Sequence, residues 1–146
     1  MKDVFIREAK PSDVQELFHV RTSVNENTTT YQELDAMGIT LSSIKEMIES
    51  SPCAWVAVQE ERVLGFSMII PEDGCLFAAF VLPAYEGLGI GKKLVQAAED
   101  ALFIKHSTLW LETGKSTRAA EFYRRRGWKN ETEIGEGDIR LEKDQF

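Results

Sequence analysis

Three alternating glycines constrain the fold of this chain more than any other feature of its sequence. Gly87, Gly89 and Gly91 follow an apolar run that ends at Pro83, and they precede an amphipathic segment from about 91 to 105. A strand, a glycine turn and a helix in this order leave unshielded backbone N–H groups at a helix N-terminus, where the helix dipole attracts anions. The segment therefore predicts a strand–turn–helix unit that binds an anion.

The common nucleotide-binding loops do not fit this turn. A Walker A loop needs a glycine where Glu86 stands and a serine or threonine where Lys93 stands. The dinucleotide fingerprint needs a third glycine where the chain has Lys92 or Leu94. The two lysines lie in a first helical turn, where a cation opposes the dipole unless a polyanion is bound there. The glycine spacing therefore excludes a nucleotide hydrolase, but the two lysines still favour a phosphate-containing ligand.

The remaining periodicity predicts one domain over residues 1–146, with an α/β (α+β) architecture. No Pro/Gly/Ser-rich linker interrupts the chain. Strands are predicted at 4–6, 54–58, 63–70, 75–82 and 109–111, with a hairpin over 128–142, and helices are predicted after Pro11 and at 40–50, 91–105 and 116–126. Residues 24–38 are polar and unpatterned, which predicts a loop.

Charge and cysteine content limit the partners and the location. The net charge is −7, and all of it lies in residues 1–75, because residues 76–146 are balanced. An acidic chain is a poor binder of nucleic acid or anionic membranes. The N-terminus has no signal core, so we expect a cytoplasmic protein. Cys53 and Cys75 are interpreted as reduced core thiols, and no metal site is expected.

Two motifs resemble those of the GNAT superfamily, the GCN5-related N-acetyltransferases. The first is the acetyl-CoA loop, Arg/Gln-x-x-Gly-x-Gly/Ala after a strand, which here reads Glu86-Gly87-Leu88-Gly89-Ile90-Gly91 and departs only at Glu86. The second is the family's later helix, matched from Ser116 to Trp128 by Ala119, Phe122, Tyr123, Gly127 and the final aromatic residue, with Ser116 in place of the usual Asn.

The resemblance implies a GNAT fold: a central mixed, mostly antiparallel sheet of about seven strands with four helices, in which strands 4 and 5 splay apart. It also implies that acetyl-CoA is a co-substrate and that no metal takes part. The implied cofactor-binding residues are Ala79, Phe80, Val81, Glu86, Gly87, Leu88, Gly89, Ile90, Gly91, Lys92, Ser116, Ala119, Phe122, Tyr123 and Arg125.

The resemblance further implies an acetyl-CoA-dependent N-acetyltransferase in which a primary amine attacks the thioester directly. Tyr123 stands where the family places its general acid, and the backbone of Ala79 to Val81 where it places its oxyanion donor. The general base is open: Glu112 lies where some peptide acetyltransferases of the family have theirs, but a structural Glu–Arg pair is an equal interpretation. Water-mediated action of Glu26, Glu72 or Asp73 also remains open, as does the absence of a dedicated base.

The acceptor site is expected in residues 20–40, the variable loop of the family, with Asn25, Glu26 and Tyr31 as candidate binding residues. The acceptor is expected to be a small-molecule or peptide amine, and the acidic first half favours a cationic one. The C-terminal hairpin could pair across a homodimer. The alternative function is an acyl-CoA-binding regulatory module with little or no catalysis, which the substitution at Glu86 and the absence of a carboxylate in Cys75–Val81 favour.

Overall fold

The computed structural model describes residues 3–146 and contains one seven-stranded sheet. The strands are β1 (Phe5–Glu8), β2 (Ala54–Gln59), β3 (Arg62–Ile70), β4 (Cys75–Val81), β5 (Thr108–Gly114), β6 (Lys129–Gly135) and β7 (Asp138–Asp144). The helices are α1 (Val14–Ser23), α2 (Tyr31–Ala36), α3 (Leu41–Ser50), α4 (Ile90–Phe103) and α5 (Arg118–Arg125). No helix within residues 3–146 is long and apolar enough to cross a membrane.

The sheet opens between β4 and β5. The strand order is β1-β2-β3-β4-β5-β7-β6, and every neighbouring pair is antiparallel except β4 and β5. These two parallel strands are in register only at Cys75 and Trp110, and they separate beyond that point. The mixed sheet and its splayed central strands confirm the predicted GNAT fold.

The prediction of four helices is wrong, because α2 forms inside the segment that was predicted as a loop. Thr30 caps this helix by accepting a hydrogen bond of 3.1 Å from the backbone N–H of Glu33. The Thr-x-x-Glu spacing is a capping signature, but the helix has only six residues and buries only Leu34. So short a helix gives no apolar period to detect.

The helices cover both faces of the sheet. The Ser67 hydroxyl on β3 donates to the Leu94 carbonyl on α4 at 2.9 Å, so this side chain faces α4. Side chains alternate along a strand, so Phe66 and Met68 face the opposite side, where α1 packs on β3. Gly65 lets β4 and α4 approach β3 closely, since an added Cβ would lie 2.8 Å from the Phe80 carbonyl oxygen of β4 and 3.1 Å from the Leu94 side chain of α4. Helix α4 therefore packs on one face of β3, and α1 packs on the other face.

Candidate active site

The glycine turn forms the N-terminus of α4, as predicted. Gly87 and Gly89 have φ of +77° and +82°, in the left-handed region that favours glycine. Gly89 is the N-cap, and no side chain of the described residues caps the helix. Within residues 3–146, the structure records no hydrogen-bond partner for the backbone N–H groups of residues 87–92. These free donors and the helix dipole together favour an anion at this end of α4.

A large groove of about 1060 Å³ runs from this turn to α5 and is bounded by β4. We call it the large groove. Most of the predicted cofactor-binding residues line it: Ala79, Phe80, Val81, Glu86, Gly87, Gly89, Ile90, Gly91, Lys92, Ala119, Phe122, Tyr123 and Arg125. Leu88 and Ser116 do not. The Leu88 side chain is 68% exposed, and Ser116 lies before Thr117, which caps α5 by accepting a hydrogen bond from the Ala120 N–H.

The backbone of β4 presents two donors toward the opening in the sheet. The Leu82 N–H donates to the Leu64 carbonyl of β3 at 2.8 Å. Successive N–H groups of a strand point to opposite sides, so the N–H groups of Ala79 and Val81 point away from β3, to the side that β5 leaves. Of the three residues predicted to supply an oxyanion donor, these two have the required direction.

Tyr123 lies where the large groove meets a second cavity. Its ring is 6% exposed and packs edge-on against Phe122 and Trp128, with centroid distances of 5.4 and 5.8 Å. Burial, with a smaller contribution from Glu99, raises the pKa of the Tyr123 phenol well above its usual value. Among the described residues no hydrogen-bond partner is recorded for its hydroxyl, although the residue lines both cavities. The phenol is therefore a neutral donor that is free to bind a ligand.

The second cavity, which we call the small cavity, has a volume of about 300 Å³ and lies on the α1 side of the sheet. It shares Asn27, Ala79, Phe80, Ala119 and Tyr123 with the large groove. Most of its wall is apolar, from Leu17, Phe18, Leu34, Met37, Ile39, Ile44, Phe66, Met68 and Leu76. Its charged lining residues are Arg21, Glu112 and Asp138. A small, largely apolar molecule in this cavity would meet a ligand of the large groove at Tyr123.

Glu112 lines the small cavity from β5. It lies opposite Arg140 in the register, but Arg140 places its guanidinium 4.3 Å from the ring centroid of Trp110. No ion pair between Glu112 and Arg140 is recorded within residues 3–146. Neither Glu72 nor Asp73 lines either cavity. Among the proposed bases, Glu112 is therefore the one that faces the small cavity.

The predicted acceptor residues do not gather at the small cavity. Asn25 and Glu26 line the large groove, where a Glu26 carboxylate oxygen accepts the Arg118 backbone N–H at 2.9 Å. Tyr31 is 54% exposed and stacks on Phe18 at 5.7 Å, outside both cavities. The segment from residue 20 to 40 nevertheless contributes to the small cavity through other side chains, because α2 turns Leu34 inward.

Asn27 is a site residue that sequence reasoning missed. Its carbonyl oxygen accepts from Arg21 at 2.8 Å, and its side-chain oxygen accepts from the Gly114 N–H at 3.2 Å. It has a φ of +54°, which asparagine tolerates better than most residues. These bonds join the α1–α2 segment to the end of β5 across the opening. An asparagine in a polar loop gave no local signal for a partner 87 residues away.

The carboxylate of Glu86, in the glycine turn, forms an ion pair with Arg118 of α5. The Arg118 side chain is 74% exposed and the Glu86 side chain 34%. The backbone N–H of Arg118 also donates to the Glu26 carboxylate, so two acidic residues contact this one arginine. The ion pair reduces the negative charge that the carboxylate presents to an anion in the turn.

The arginines at the end of α5 have different partners. Arg124 pairs with Glu121 and Glu131, whereas Arg125 and Arg126 line the large groove. Arg126 and Lys143 lie 3.6 and 2.8 Å from the buried carboxylate of Glu99. This end of the groove is therefore basic, although Glu99 offsets part of that charge.

The two cysteines are buried free thiols, as predicted. Burial, together with the nearby carboxylates of Glu112 and Asp73, raises the pKa of Cys75 to about 12. Burial and Glu72 also raise the pKa of Cys53. A thiol is a poor nucleophile until it is deprotonated, so neither side chain is suited to carry an acyl group.

Solved structures of N-acetyltransferases are similar to this chain in fold. The PaiA N-acetyltransferase of Thermoplasma acidophilum, solved with coenzyme A, has a TM-score of 0.77 at 19% identity, covering 97% of this chain and 99% of that one. A GNAT acetyltransferase of Staphylococcus aureus Mu50 has a TM-score of 0.77 at 19% identity (99% and 100% covered). Ard1 of Thermoplasma volcanium has a TM-score of 0.77 at 15% identity (98% of each chain).

The sequence itself assigns the family. The model of the acetyltransferase (GNAT) domain matches residues 50–130, which is more than half of the chain and includes both the glycine turn and Tyr123. The protein belongs to the GNAT acetyltransferase family. No curated protein sequence matches this chain significantly.

Proposed function

We propose that this protein transfers the acetyl group of acetyl-CoA to a primary amine by direct attack of the amine on the thioester. The observation that carries the proposal is that Tyr123, whose hydroxyl has no recorded partner among the described residues, lines both cavities. The large groove begins at the unpaired backbone N–H groups of the glycine turn, and the small cavity has a largely apolar wall. Direct transfer between two bound substrates fits this arrangement, because the two reacting groups must meet while both substrates are bound.

The described residues fit the cofactor. The free N–H groups of residues 87–92 and the α4 dipole suit a pyrophosphate, and Lys92 lines the same part of the groove. The open edge of β4 offers backbone groups to an extended amide-containing arm, because β5 has separated from it. The basic end of the groove, with Arg125 and Arg126, suits a further phosphate.

Acetyl-CoA, when bound, supplies a thioester carbonyl that an amine can attack. The transfer forms an N–C bond and breaks the C–S bond, and the amine loses a proton while the thiolate gains one. The N–H groups of Ala79 and Val81 stabilise the oxyanion that develops on the carbonyl. Tyr123 donates a hydrogen bond to the departing sulfur, and its raised pKa keeps the phenol protonated for this role.

Glu112 is the proposed acceptor of the amine proton. An alkyl ammonium must lose a proton before it can attack, and a carboxylate facing the small cavity can receive it. The buried thiols of Cys53 and Cys75 offer no competing nucleophile, which supports direct attack over an acyl-enzyme route. Asp138 lines the same cavity and was not predicted from the sequence.

The test is thiol release from acetyl-CoA against a panel of amines: polyamines, amino sugars, free amino acids, and peptides with free N-termini or lysines. We expect at least one acceptor class to give turnover. Glu112→Gln should lower kcat/KM about tenfold or more while acetyl-CoA affinity is kept, and Glu136→Gln in the β6–β7 turn is the matched control.

A second function, an acyl-CoA-binding regulatory module, is favoured by the carboxylate of Glu86 in the turn. Calorimetry that shows CoA binding, without thiol release on any amine, would establish it. The proposed partner is a small-molecule or peptide amine rather than nucleic acid or a membrane, and a homodimer through the exposed edge strand β6 stays a prediction.

A further inference from the structure

Arg21 lies in the wall of the small cavity without a role in the proposed reaction. It comes from the last turn of α1 and is half-buried. Its guanidinium carbon lies 4.2 Å from the ring centroid of Phe80, and one of its N–H groups donates to the Asn27 carbonyl at 2.8 Å. The side chain is therefore held in place by a ring on one face and a backbone carbonyl at one edge.

Within residues 3–146, no ion pair between the Arg21 guanidinium and a carboxylate is recorded. Burial lowers the pKa of Arg21, and the more distant Glu33 offsets this effect only in part. A guanidinium has several N–H donors, and the recorded contact uses one of them. A half-buried cation with free donors costs free energy that an anion in the cavity would offset.

The position of Arg21 would place such an anion close to the proposed reacting centre. Phe80, on which the guanidinium stacks, lies between Ala79 and Val81, whose N–H groups face the opening in the sheet. An anion bound to Arg21 would therefore lie beside the reacting centre rather than at the far end of the cavity. The remaining wall, from α1, α2, α3 and β3, is apolar.

We infer that the acceptor is an α-amino acid with an apolar side chain, whose carboxylate binds Arg21 and whose amine faces the thioester. In such a molecule a single carbon separates the anion from the amine, which agrees with the position of the Arg21 guanidinium on the ring of Phe80. The volume of about 300 Å³ is at the small end of the range of ligand pockets. The inference rests on the proposed function, because it names the acceptor for that same site.

The experiment compares free amino acids with their carboxamides, using phenylalanine, leucine and methionine. The carboxamide amine is less basic, so reactivity alone favours the amide. We expect the acid to be preferred, and Arg21→Gln to lower kcat/KM for the acid about tenfold to a hundredfold, mainly through KM. Turnover of the amide should change little. Arg21→Lys should restore part of the preference, and Lys45→Gln, on the exposed face of α3, should leave it intact.

A binding measurement separates this inference from the proposed function. Calorimetry with CoA present compares N-acetylphenylalanine with its carboxamide. Tighter binding of the acid that is lost in Arg21→Gln supports the inference even if thiol release fails on every amine, which would refute only the acetyl transfer. The inference is overturned if the amide binds and reacts as well as the acid, if Arg21→Gln keeps the preference, or if polyamines alone are acetylated.

Discussion

Replacing Tyr123 with phenylalanine measures the contribution of its hydroxyl, because Tyr123 lines both cavities. The ring contacts with Phe122 and Trp128 are kept, because only one oxygen is removed. That oxygen has no recorded partner within the described residues, so its removal deprives no other buried group of a hydrogen bond. We therefore expect the melting temperature to stay within a few degrees of the unsubstituted protein.

The effect on catalysis should be much larger. A hydrogen bond to a charged group is worth about 1.5–3 kcal/mol, which corresponds to roughly 10- to 150-fold in rate. General acid catalysis typically contributes about 100-fold or more. These ranges overlap near 100-fold, and we expect Tyr123→Phe to lower kcat by about this factor while the KM for acetyl-CoA stays unchanged.

The assay is thiol release at saturating acceptor, with circular dichroism to verify folding and calorimetry to verify CoA affinity. The pH profile adds a second readout. An acid acts while it is protonated, and burial raises the pKa of Tyr123 above its usual value of about 10. Loss of the Tyr123 proton should therefore not reduce kcat as the pH rises to about 10. Full turnover by a folded Tyr123→Phe variant would refute the assigned role.

Three further changes test other parts of the structure. Glu86→Gln removes a carboxylate from the groove, and we expect calorimetry to show CoA binding about two- to fivefold tighter. Gly65→Ala places a Cβ 2.8 Å from the Phe80 carbonyl oxygen, so thermal denaturation should show a loss of about 1–3 kcal/mol and activity should fall with it. Burial alone would raise the pKa of Asp13, but its hydrogen bonds, above all those from Arg7, lower it overall. That stability is present above the ordinary pKa of about 4 and is lost as the pH falls below it, so Asp13→Asn should destabilise the protein near pH 7 and much less near pH 2.

Each of these changes has a control or a contradicting outcome. For the groove carboxylate, Glu46→Gln on exposed α3 removes the same charge and should leave CoA affinity unchanged; equal effects of both substitutions would mean that net charge alone acts. A wild-type melting temperature for Gly65→Ala would contradict the close approach of β3 and β4. Equal destabilisation of Asp13→Asn at both pH values would exclude the Arg7 ion pair as its cause.

Much of the fold was predictable because its signals are local. The apolar runs of β2, β3 and β4 and the amphipathic period of α4 are properties of consecutive residues. The positive φ values of Gly87 and Gly89 follow from alternate glycines in a short turn. Helix α2 escaped prediction because it is short and buries one side chain, so the only evidence for it was the capping pair Thr30 and Glu33.

The lining of the small cavity, where the acceptor is proposed to bind, was not predictable in the same way. Asn25, Glu26 and Tyr31 were candidates from polarity and position, but the structure turns Leu34 rather than Tyr31 into the small cavity. Which residues of a polar segment face inward depends on where a short helix begins and how it packs. Neither is a property of residue type.

The sequence by itself determined the strand–glycine turn–helix unit and the place of Tyr123 on a later helix, since both depend on backbone preferences and period within about 15 residues. Only the tertiary structure decided that Arg21 of α1, Phe80 of β4 and Glu112 of β5 face one cavity. Their proximity depends on the separation of β4 and β5. That separation is a packing outcome between segments far apart in the chain, and no local pattern encodes it.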